Sequence, residues 1–477
     1  MSLFSEMLAR FVDSKSIKIY QLANLCGIER SWLQKMLTGK RKPADQEQVM
    51  NLSQALALTY TETQQLMNAY RILEMGEENW LRRNSVLKLL KSFRIDENPL
   101  QIETPALEFS LSPSCSSQIF HSAAAVNRAL HFVLLQESSD PKGFVRIMVQ
   151  PQFFFLFNCL SVISFDNIPI EHYLCLDSDP KTEIDNLEYI RQIIPLMLNC
   201  RGYVPYGYYD HASSLFGSSA FLPNIILTSR YLMRISSDYS EAVISNHPQM
   251  LQLCQKYFDS QKKSSWPIFQ QTTSFEEYLR VMLMGNPIKA SYCIMDHPCV
   301  LSFLTPELLQ GHLLPSVLSP QMMQDLNHHM ANCRDLAMVT HSCFSLNGLK
   351  DLYEHGLLTE VPGEYYTPFA QKEIDLLMDI VLQLCDEGTY HMHLVQPSCF
   401  DIPPHLCLGA LSPQKVTVIF NHPKKGFLAF DVKNLALSSA LFDFIEYIQE
   451  DETFTLPEET SRKVVQETLE KLRAQQR

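Results

Sequence analysis

Four polar residues on one short predicted helix carry the most distinctive chemistry of this sequence. Arg30, Ser31, Gln34 and Lys35 are spaced so that all four lie on one face of an α-helix. The basic run Gly39-Lys40-Arg41-Lys42-Pro43 follows directly. Guanidinium and ammonium groups donate strong hydrogen bonds to phosphate oxygens, and arginine, serine and glutamine also bind base edges. This spacing therefore predicts a surface that binds a polyanion.

The charge of the chain is unevenly distributed. Residues 1–95 contain 14 Lys and Arg against 9 Asp and Glu, whereas the remainder contains 25 against 43. The first segment carries +5 and the remainder −18, which together give the net charge of −13. A small basic segment on an acidic chain predicts that this segment, and not the remainder, binds a polyanion.

Length and composition indicate a globular, multidomain protein. The chain has 477 residues, so roughly two to four domains are expected. Its 13 cysteines include no C-x-x-C pair, and no secretory signal is evident, so we expect reduced thiols and a cytoplasmic location. The most apolar stretch, residues 144–165, is interrupted by Arg146 and Pro151, and we expect no membrane span.

Apolar spacing predicts five helices between Leu3 and Met75. They cover positions 3–14, 19–26, 28–37, 45–58 and about 61–75. Gly27 is placed where a tight turn needs a positive φ, and Thr61 to Gln64 has the pattern of a capping box. Two short helices joined by a glycine turn describe a helix-turn-helix unit.

Several residues of this segment stand at the spacing of a known DNA-binding family. They are Leu22-Ala23, Gly27, Ile28, the pair Leu33 and Met36, and the run Gly39-Lys40-Arg41-Lys42-Pro43. On these residues, positions 3–75 resemble the Cro/cI-type (XRE-type) helix-turn-helix transcriptional regulators. Two positions depart from the family: Ile19 stands where a phosphate-contacting Gln is common, and Leu37 where Glu is common.

The resemblance implies a DNA interface and a homodimer. The third helix would lie in the major groove, with Arg30, Ser31, Gln34 and Lys35 at base edges. Lys40, Arg41 and Lys42 would contact phosphates. Trp32 would either pack on the sugar-phosphate backbone or cover the turn between the helices. The partner would be double-stranded operator DNA with two-fold symmetry, because one such head reads about half an operator.

The rest of the chain predicts an α/β body made of two related halves. A helix, a strand, a hairpin and a second helix follow Asn186 and again follow Glu373, with Gly202 and Gly388 at corresponding positions. The fold class is therefore a multidomain chain, with an all-α five-helix head before a larger α/β body. The predicted segments are a head (1–76), a linker helix and boundary (77–112), two halves of a sensor or dimerisation domain (113–285 and 286–456) and a C-terminal helix (457–477).

The duplicated body resembles the phospholipase D-like fold, whose catalytic pattern is H-x-K-x4-D. His422 and Lys424 form an H-x-K, but Ala429 stands where the aspartate is needed, and Asp431 comes two positions late. We interpret His422 and Lys424 as hairpin-turn residues and predict no catalytic residue. His391 and His393 place two imidazoles on one strand face, which is fewer than a zinc site uses, so we predict no metal and no cofactor.

The body has one candidate ligand site. Tyr203, Tyr206 and Tyr208 follow a helix end and either line a pocket or pack within a strand. We therefore expect a dimeric transcription regulator whose body senses an unknown small-molecule or protein effector. Two alternatives remain open: a DNA-binding scaffold whose body binds a protein partner, as in an antitoxin or phage-type repressor complex, and a DNA-tethered phosphodiesterase-like enzyme.

Overall fold

The structure is a computed structural model, and it forms two compact units. The head is Met1–Ser85 and the body is Val86–Arg477. The structure describes residues 2–94, 116–165, 168–177, 182–217, 220–283, 290–305, 308, 311–314, 319–335 and 338–475. The predicted boundary segment 96–113 lies outside these residues.

The head is all-helical, and the five predicted helices are confirmed in residues 2–75. They are α1 (Leu3–Ser14), α2 (Ile19–Leu25), α3 (Arg30–Leu37), α4 (Gln46–Ala55) and α5 (Tyr60–Met75). Their apolar faces meet in one core, in which Leu8, Leu22 and Leu52 have no exposed surface. Helical spacing therefore predicted both the elements and the faces that they bury.

The N-terminus of α5 corrects one prediction. The capping box is formed by Thr59 and Glu62, and it begins two positions before the predicted Thr61. The Thr59 hydroxyl accepts from the Glu62 amide at 3.2 Å, and the Glu62 carboxylate accepts from the Thr59 amide at 2.8 Å. Glu62 also pairs with Lys15 of α1 at 3.1 Å, a cross-helix contact that favours this register.

Helix α6 (Glu77–Lys91) continues from the head into the body. Its second half buries Val86, Leu89 and Leu90 in the main apolar core of the body, where Phe93 follows them. The second half of the predicted linker helix is thus used for core packing.

The first half of the body runs from β1 to β8. Its elements are β1 (Ser117–His121), α7 (Ala123–Ser138), β2 (Val145–Met148), α8 (Phe154–Val162), β3 (Ile170–Asp177), α9 (Glu183–Asn199), β4 (Tyr203–Asp210), α10 (Ala212–Phe216), β5 (Asn224–Thr228), β6 (Leu232–Ile235), β7 (Glu241–Ser245), α11 (Pro248–Lys263) and β8 (Trp266–Pro267). In the described residues these strands form one sheet in the order β1-β7-β6-β5-β2-β3-β4-β8.

The second half runs from β9 to the C-terminal helix. Its elements are β9 (Phe269–Thr272), α12 (Phe275–Leu283), β10 (Ala290–Met295), a 3₁₀ turn (Leu301–Phe303), α13 (Pro320–Asp335), β11 (Val339–Phe344), α14 (Leu346–His355), α15 (Gln371–Asp386), β12 (Tyr390–Leu394), β13 (Leu406–Ser412), β14 (Lys415–His422), β15 (Gly426–Val432), α16 (Leu435–Glu450) and α17 (Glu458–Ala474). Within the described ranges, the sheet order is β12-β11-β10-β13-β14-β15-β9.

The two sheets have the same topology, which confirms the predicted duplication. In each, three parallel strands (β2-β3-β4 and β10-β11-β12) adjoin an antiparallel meander (β5-β6-β7 and β13-β14-β15). The first strand of each half, β1 or β9, pairs with the last strand of the meander. Strand β9 and helix α12 therefore belong with the second sheet, although they precede the predicted division at residue 285.

Helices cover both faces of each sheet. Helix α11 packs on one face of the first sheet, and α7, α8 and α9 lie on the other. Helix α16 covers one face of the second sheet, while α12, α14 and α15 lie on its opposite face. One continuous apolar core includes side chains of both sheets together with α9 and α16. The two halves therefore share a core and form one body.

Candidate nucleic-acid interface

The turn between α2 and α3 contains a glycine with a positive φ. Cys26 ends α2 in a helical conformation, and Gly27 then adopts a φ of +65°, where a residue with a Cβ would be strained. The Ile28 amide returns a hydrogen bond to the Ala23 carbonyl at 3.0 Å, and Glu29 is the N-cap of α3. The turn is therefore short and fixed by backbone hydrogen bonds.

Helix α3 is anchored by one face and exposes the other. Leu33 and Met36 have no exposed surface. The opposite face exposes the four predicted base-contact residues, Arg30, Ser31, Gln34 and Lys35. Because the inward side chains fix the rotation of the helix, the structure brings these four residues onto one exposed surface.

The basic turn after α3 is held against the end of the helix. Thr38 donates its hydroxyl to the Gln34 and Lys35 carbonyls at 3.0 and 3.1 Å. Gly39 has a φ of +71°, and the Lys40 and Arg41 amides then donate to the Lys35 carbonyl at 2.8 and 3.2 Å. Lys40 is thus placed beside the C-terminus of α3 with an exposed side chain.

Two of the predicted phosphate contacts already have partners within the head. The Arg41 guanidinium lies over the Trp32 ring, 3.6 Å from its centroid, and the Lys42 ammonium lies 2.8 Å from a Glu74 carboxylate oxygen of α5. Trp32 is half-buried against the head core. The packing of Trp32 on the sugar-phosphate backbone of DNA remains a prediction.

Sequence reasoning missed two carboxylates at this surface. Glu29 accepts a hydrogen bond from the Ser31 hydroxyl at 3.1 Å, and Glu74 pairs with Lys42. Glu29 could have been noticed from its position directly before Arg30. The partner of Lys42 lies on a different helix, far along the sequence, and only the fold brings the two together.

The tyrosines of the predicted ligand pocket do not come together. Tyr203 is buried on the α9 side of β4, where its hydroxyl lies 2.6 Å from His172 Nδ1. Tyr206 and Tyr208 belong to the opposite face, and Tyr206 stacks on Tyr173 with ring centroids 5.2 Å apart. The reason is the two-residue repeat of a strand, which sends odd and even positions to opposite faces.

An apolar cleft lies elsewhere in the body, on the α12 side of the second sheet. The cleft and the solvent space at its open mouth together measure about 440 Å³. The lining residues are Phe275, Leu279, Leu301, Leu304, His312, Leu313, Leu326, Leu358, Val361, Tyr366 and Phe369. The polar groups at its rim are occupied, since His312 bonds to the Thr367 carbonyl at 2.8 Å and to Glu373 at 2.9 Å. The cleft therefore offers a ligand mainly apolar contact.

The candidate catalytic groups are separated. His422 ends β14 opposite Gly426, at the turn of the hairpin, as the sequence predicted. Asp431 lies at the other end of the same hairpin, where it accepts from the Thr417 hydroxyl at 2.8 Å. Five residue steps along an antiparallel strand span roughly 17 Å, so these side chains do not form one reacting group.

The histidines of the second sheet form a stack. His341 lies between Tyr292 and His391, with ring centroids 4.7 and 4.6 Å away, and His391 Nδ1 is 3.0 Å from Glu458. Among the described residues, no group of three or more His, Cys, Asp or Glu is arranged to hold a metal. In the same part of the chain, no helix is long and apolar enough to cross a membrane.

Comparison with known proteins gives distant structural neighbours. No family model and no curated protein matches the sequence. One neighbour is phosphatidylserine synthase of Haemophilus influenzae Rd KW20, with 10% identity over 74% of this chain and 92% of that chain and a TM-score of 0.23. Another is TrmBL2, an archaeal chromatin protein with a novel mode of DNA binding, with 9% identity over 56% and 94% of the two chains and a TM-score of 0.21.

A third neighbour is polyphosphate kinase of Porphyromonas gingivalis. The identity is 10% over 74% of this chain and 55% of that chain, with a TM-score of 0.22. TM-scores of 0.21 to 0.23 carry no argument about activity or partners.

Proposed function

We propose that this protein is a sequence-specific, DNA-binding transcription regulator of the Cro/cI (XRE) type that acts as a dimer. One observation carries the proposal: α3, which follows α2 after a short glycine turn, exposes Arg30, Ser31, Gln34 and Lys35 on one face, while Leu33 and Met36 anchor the other. These side chains supply donors and acceptors that suit base edges in the major groove.

The head would bind DNA through two kinds of contact. Arg30, near the N-terminus of α3, would donate two hydrogen bonds to a guanine, and Lys35 would reach a neighbouring base. Lys40 and Arg41, held at the end of the helix, would bind phosphates and set the depth of α3 in the groove. Lys42 would first have to leave Glu74, so it would contribute less than Lys40.

The body would serve the regulator as a scaffold and sensor, and not as an enzyme. The separation of His422 from Asp431 across the hairpin favours a non-catalytic role. The apolar cleft favours a neutral, apolar effector, because the Glu373 carboxylate beside His312 would disfavour an anionic head group. Such a ligand would shift the equilibrium between arrangements only by its differential affinity for them.

The test of DNA reading is a selection from genomic fragments. Fragmented DNA of the source genome is incubated with the purified protein and with an Arg30→Ala/Lys35→Ala variant at physiological salt, and retained DNA is sequenced. Salt matters because phosphate contacts alone give non-specific binding that weakens with ionic strength. We expect the native protein to enrich a few sites that share a two-fold motif, and the variant to enrich none.

Indiscriminate retention by both proteins, or retention by neither, would overturn the proposal. A protein captured stoichiometrically by the body, with no enriched DNA, would favour the scaffold alternative. Phosphodiester hydrolysis that is lost in His422→Ala would favour the enzyme.

The effector site has its own test, which uses 1-decanol and decanoate as probes. We expect 1-decanol to raise the melting temperature by several degrees and decanoate to raise it less, because a ligand that binds the folded state stabilises it. Leu279→Trp, which fills the cleft, should abolish the shift relative to its own baseline. Leu376→Trp, at an exposed position of α15, is the control. A shift that survives Leu279→Trp would place the ligand elsewhere.

A further inference from the structure

The duplication pairs helix α11 with helix α16. Each follows the last strand of its meander, and their N-cap residues, His247 and Asn434, are offset by almost the same interval as Gly202 and Gly388. Each helix is 16 residues long and packs on the meander strands of its own sheet. Equivalent positions on the two helices can therefore be compared directly.

Three equivalent positions differ sharply in exposure. The pairs are Met250 and Leu437, Leu253 and Ala440, and Tyr257 and Phe444. The α11 residues are 44%, 64% and 45% exposed, whereas the α16 residues are 1%, 2% and 0% exposed. The first half thus leaves open a helix face that the second half buries.

The cause of the difference is the neighbour that each helix has within the chain. Helix α16 shares its core with α9, and Ala436 and Leu437 lie near Leu187 and Ile190 of that helix. The buried residues of helix α11 are Cys254 and Phe258, which pack on its own sheet. Its outer stripe, formed by Met250, Leu253 and Tyr257, is exposed and apolar, although the Tyr257 hydroxyl also donates to Met148 Sδ of β2 at 3.3 Å.

The stripe has the form of a helix-pairing seam. Met250, Leu253 and Tyr257 follow the alternating three-and-four spacing that aligns side chains for contact with a second helix. Exposed apolar side chains that cluster in this way mark an interaction site.

We propose that α11 forms the two-fold contact of a homodimer, in which the stripe of one copy packs on the same stripe of a second copy. This rests on the proposed function in one respect, since two heads are needed to read a two-fold site. A contact with α15, the counterpart of α9, on another copy would instead meet Asp375 and Asp379, which pair with Arg473. The apolar stripe matches itself better, and a two-fold contact closes the assembly.

The first experiment measures the oligomeric state of the full-length protein by sedimentation velocity. Leu253→Lys/Tyr257→Lys places like charges on both sides of the contact and is expected to give a monomer. Val281→Lys is the matched control, because Val281 is a 53% exposed apolar residue on α12, and it should remain a dimer like the native protein. Since all these positions are exposed, the variants are expected to fold, which circular dichroism checks.

A cross-link tests the symmetry of the contact. In an antiparallel helix pair centred on the stripe, Leu253 lies near the two-fold axis and faces its own copy. Leu253→Cys should therefore form a disulfide-linked dimer under mild oxidation, while the native chain and Val281→Cys should not. A native monomer, or a dimer that survives Leu253→Lys/Tyr257→Lys, would overturn the proposal.

These experiments distinguish a failure of the α11 contact from a failure of the proposed function. A dimer that depends on α11 but enriches no DNA would remove the regulator assignment and keep the contact. If the protein enriches two-fold DNA but its dimer does not depend on α11, the regulator assignment stands and the α11 contact is removed. If both proposals hold, the Lys variant loses affinity for the two-fold site and keeps its affinity for a single half-site.

Discussion

Replacing Arg30 with alanine is expected to lower the affinity for an enriched two-fold site by roughly 30-fold to 20,000-fold, while binding to unrelated DNA changes little. A bidentate contact to a base contributes about 1–3 kcal/mol of discrimination, and a dimer loses two of them. Arg30 is exposed on the free face of α3. Fluorescence anisotropy on the enriched site and on a scrambled site measures both affinities.

Lys40→Ala is the informative comparison, because its predicted contact is to a phosphate. It should weaken binding to both DNAs by a similar factor and reduce the salt slope by about one for each head. Arg10→Ala, at an exposed cation of α1 outside the predicted interface, is the control. If Arg30→Ala and Lys40→Ala weaken the two DNAs equally, then Arg30 binds backbone and α3 does not read bases as proposed.

The head could be predicted from sequence wherever its structure depends on local spacing. The bounds of α1 and the end of α5 follow directly from apolar periodicity, and Gly27 takes the positive φ expected of it. The capping box was misplaced because two Thr residues compete for one role, and Lys15 of a distant helix favours the Thr59 register. The pairing of Lys42 with Glu74 likewise depends on tertiary structure, which local spacing does not report.

In the body, too, some features could be predicted from the sequence and others could not. Its duplication could be recognised because equivalent elements recur at one offset. Strands β4 and β12 begin at Tyr203 and Tyr390, and the interval between them is almost the same as that between Gly202 and Gly388. The short strand β9 has too brief a pattern to be recognised before its pairing is known. The three tyrosines of the predicted pocket do not come together, and the reason is present in the sequence itself: odd and even positions of one strand face opposite ways.

Acidification is expected to destabilise the body, and His172 on β3 is a principal cause. His172 is fully buried, and its Nε2–H donates to the Val149 carbonyl at 2.8 Å. Its Nδ1 must then accept from the Tyr203 hydroxyl, 2.6 Å away, so the imidazole is neutral. Burial lowers the pKa of His172 to about 4, although the Val149 carbonyl acts in the opposite direction.

The direction of the pH effect follows from the pKa of His172 in the folded and in the unfolded chain. The unfolded chain takes up a proton near a pKa of about 6.5, whereas the folded chain resists it until about pH 4. The stabilisation is therefore complete above about pH 6.5 and is lost as the pH falls toward 4, by about 3 kcal/mol in total. Buried His393 acts in the same sense with a pKa of about 4, whereas burial raises the pKa of Asp296 to about 6, which opposes the loss.

Because these groups act together, the contribution of His172 is best isolated by substitution. His172→Gln should lower stability at pH 7, since it disturbs the Tyr203 and Val149 hydrogen bonds, but its stability should fall less between pH 6.5 and 4.5 than that of the native protein. Exposed His328→Gln should keep the native slope. Urea unfolding followed by Trp266 fluorescence, in a Trp32→Phe/Trp80→Phe background, confines the signal to the body. Equal slopes for His172→Gln and the native protein would show that His172 is not the group that senses acid.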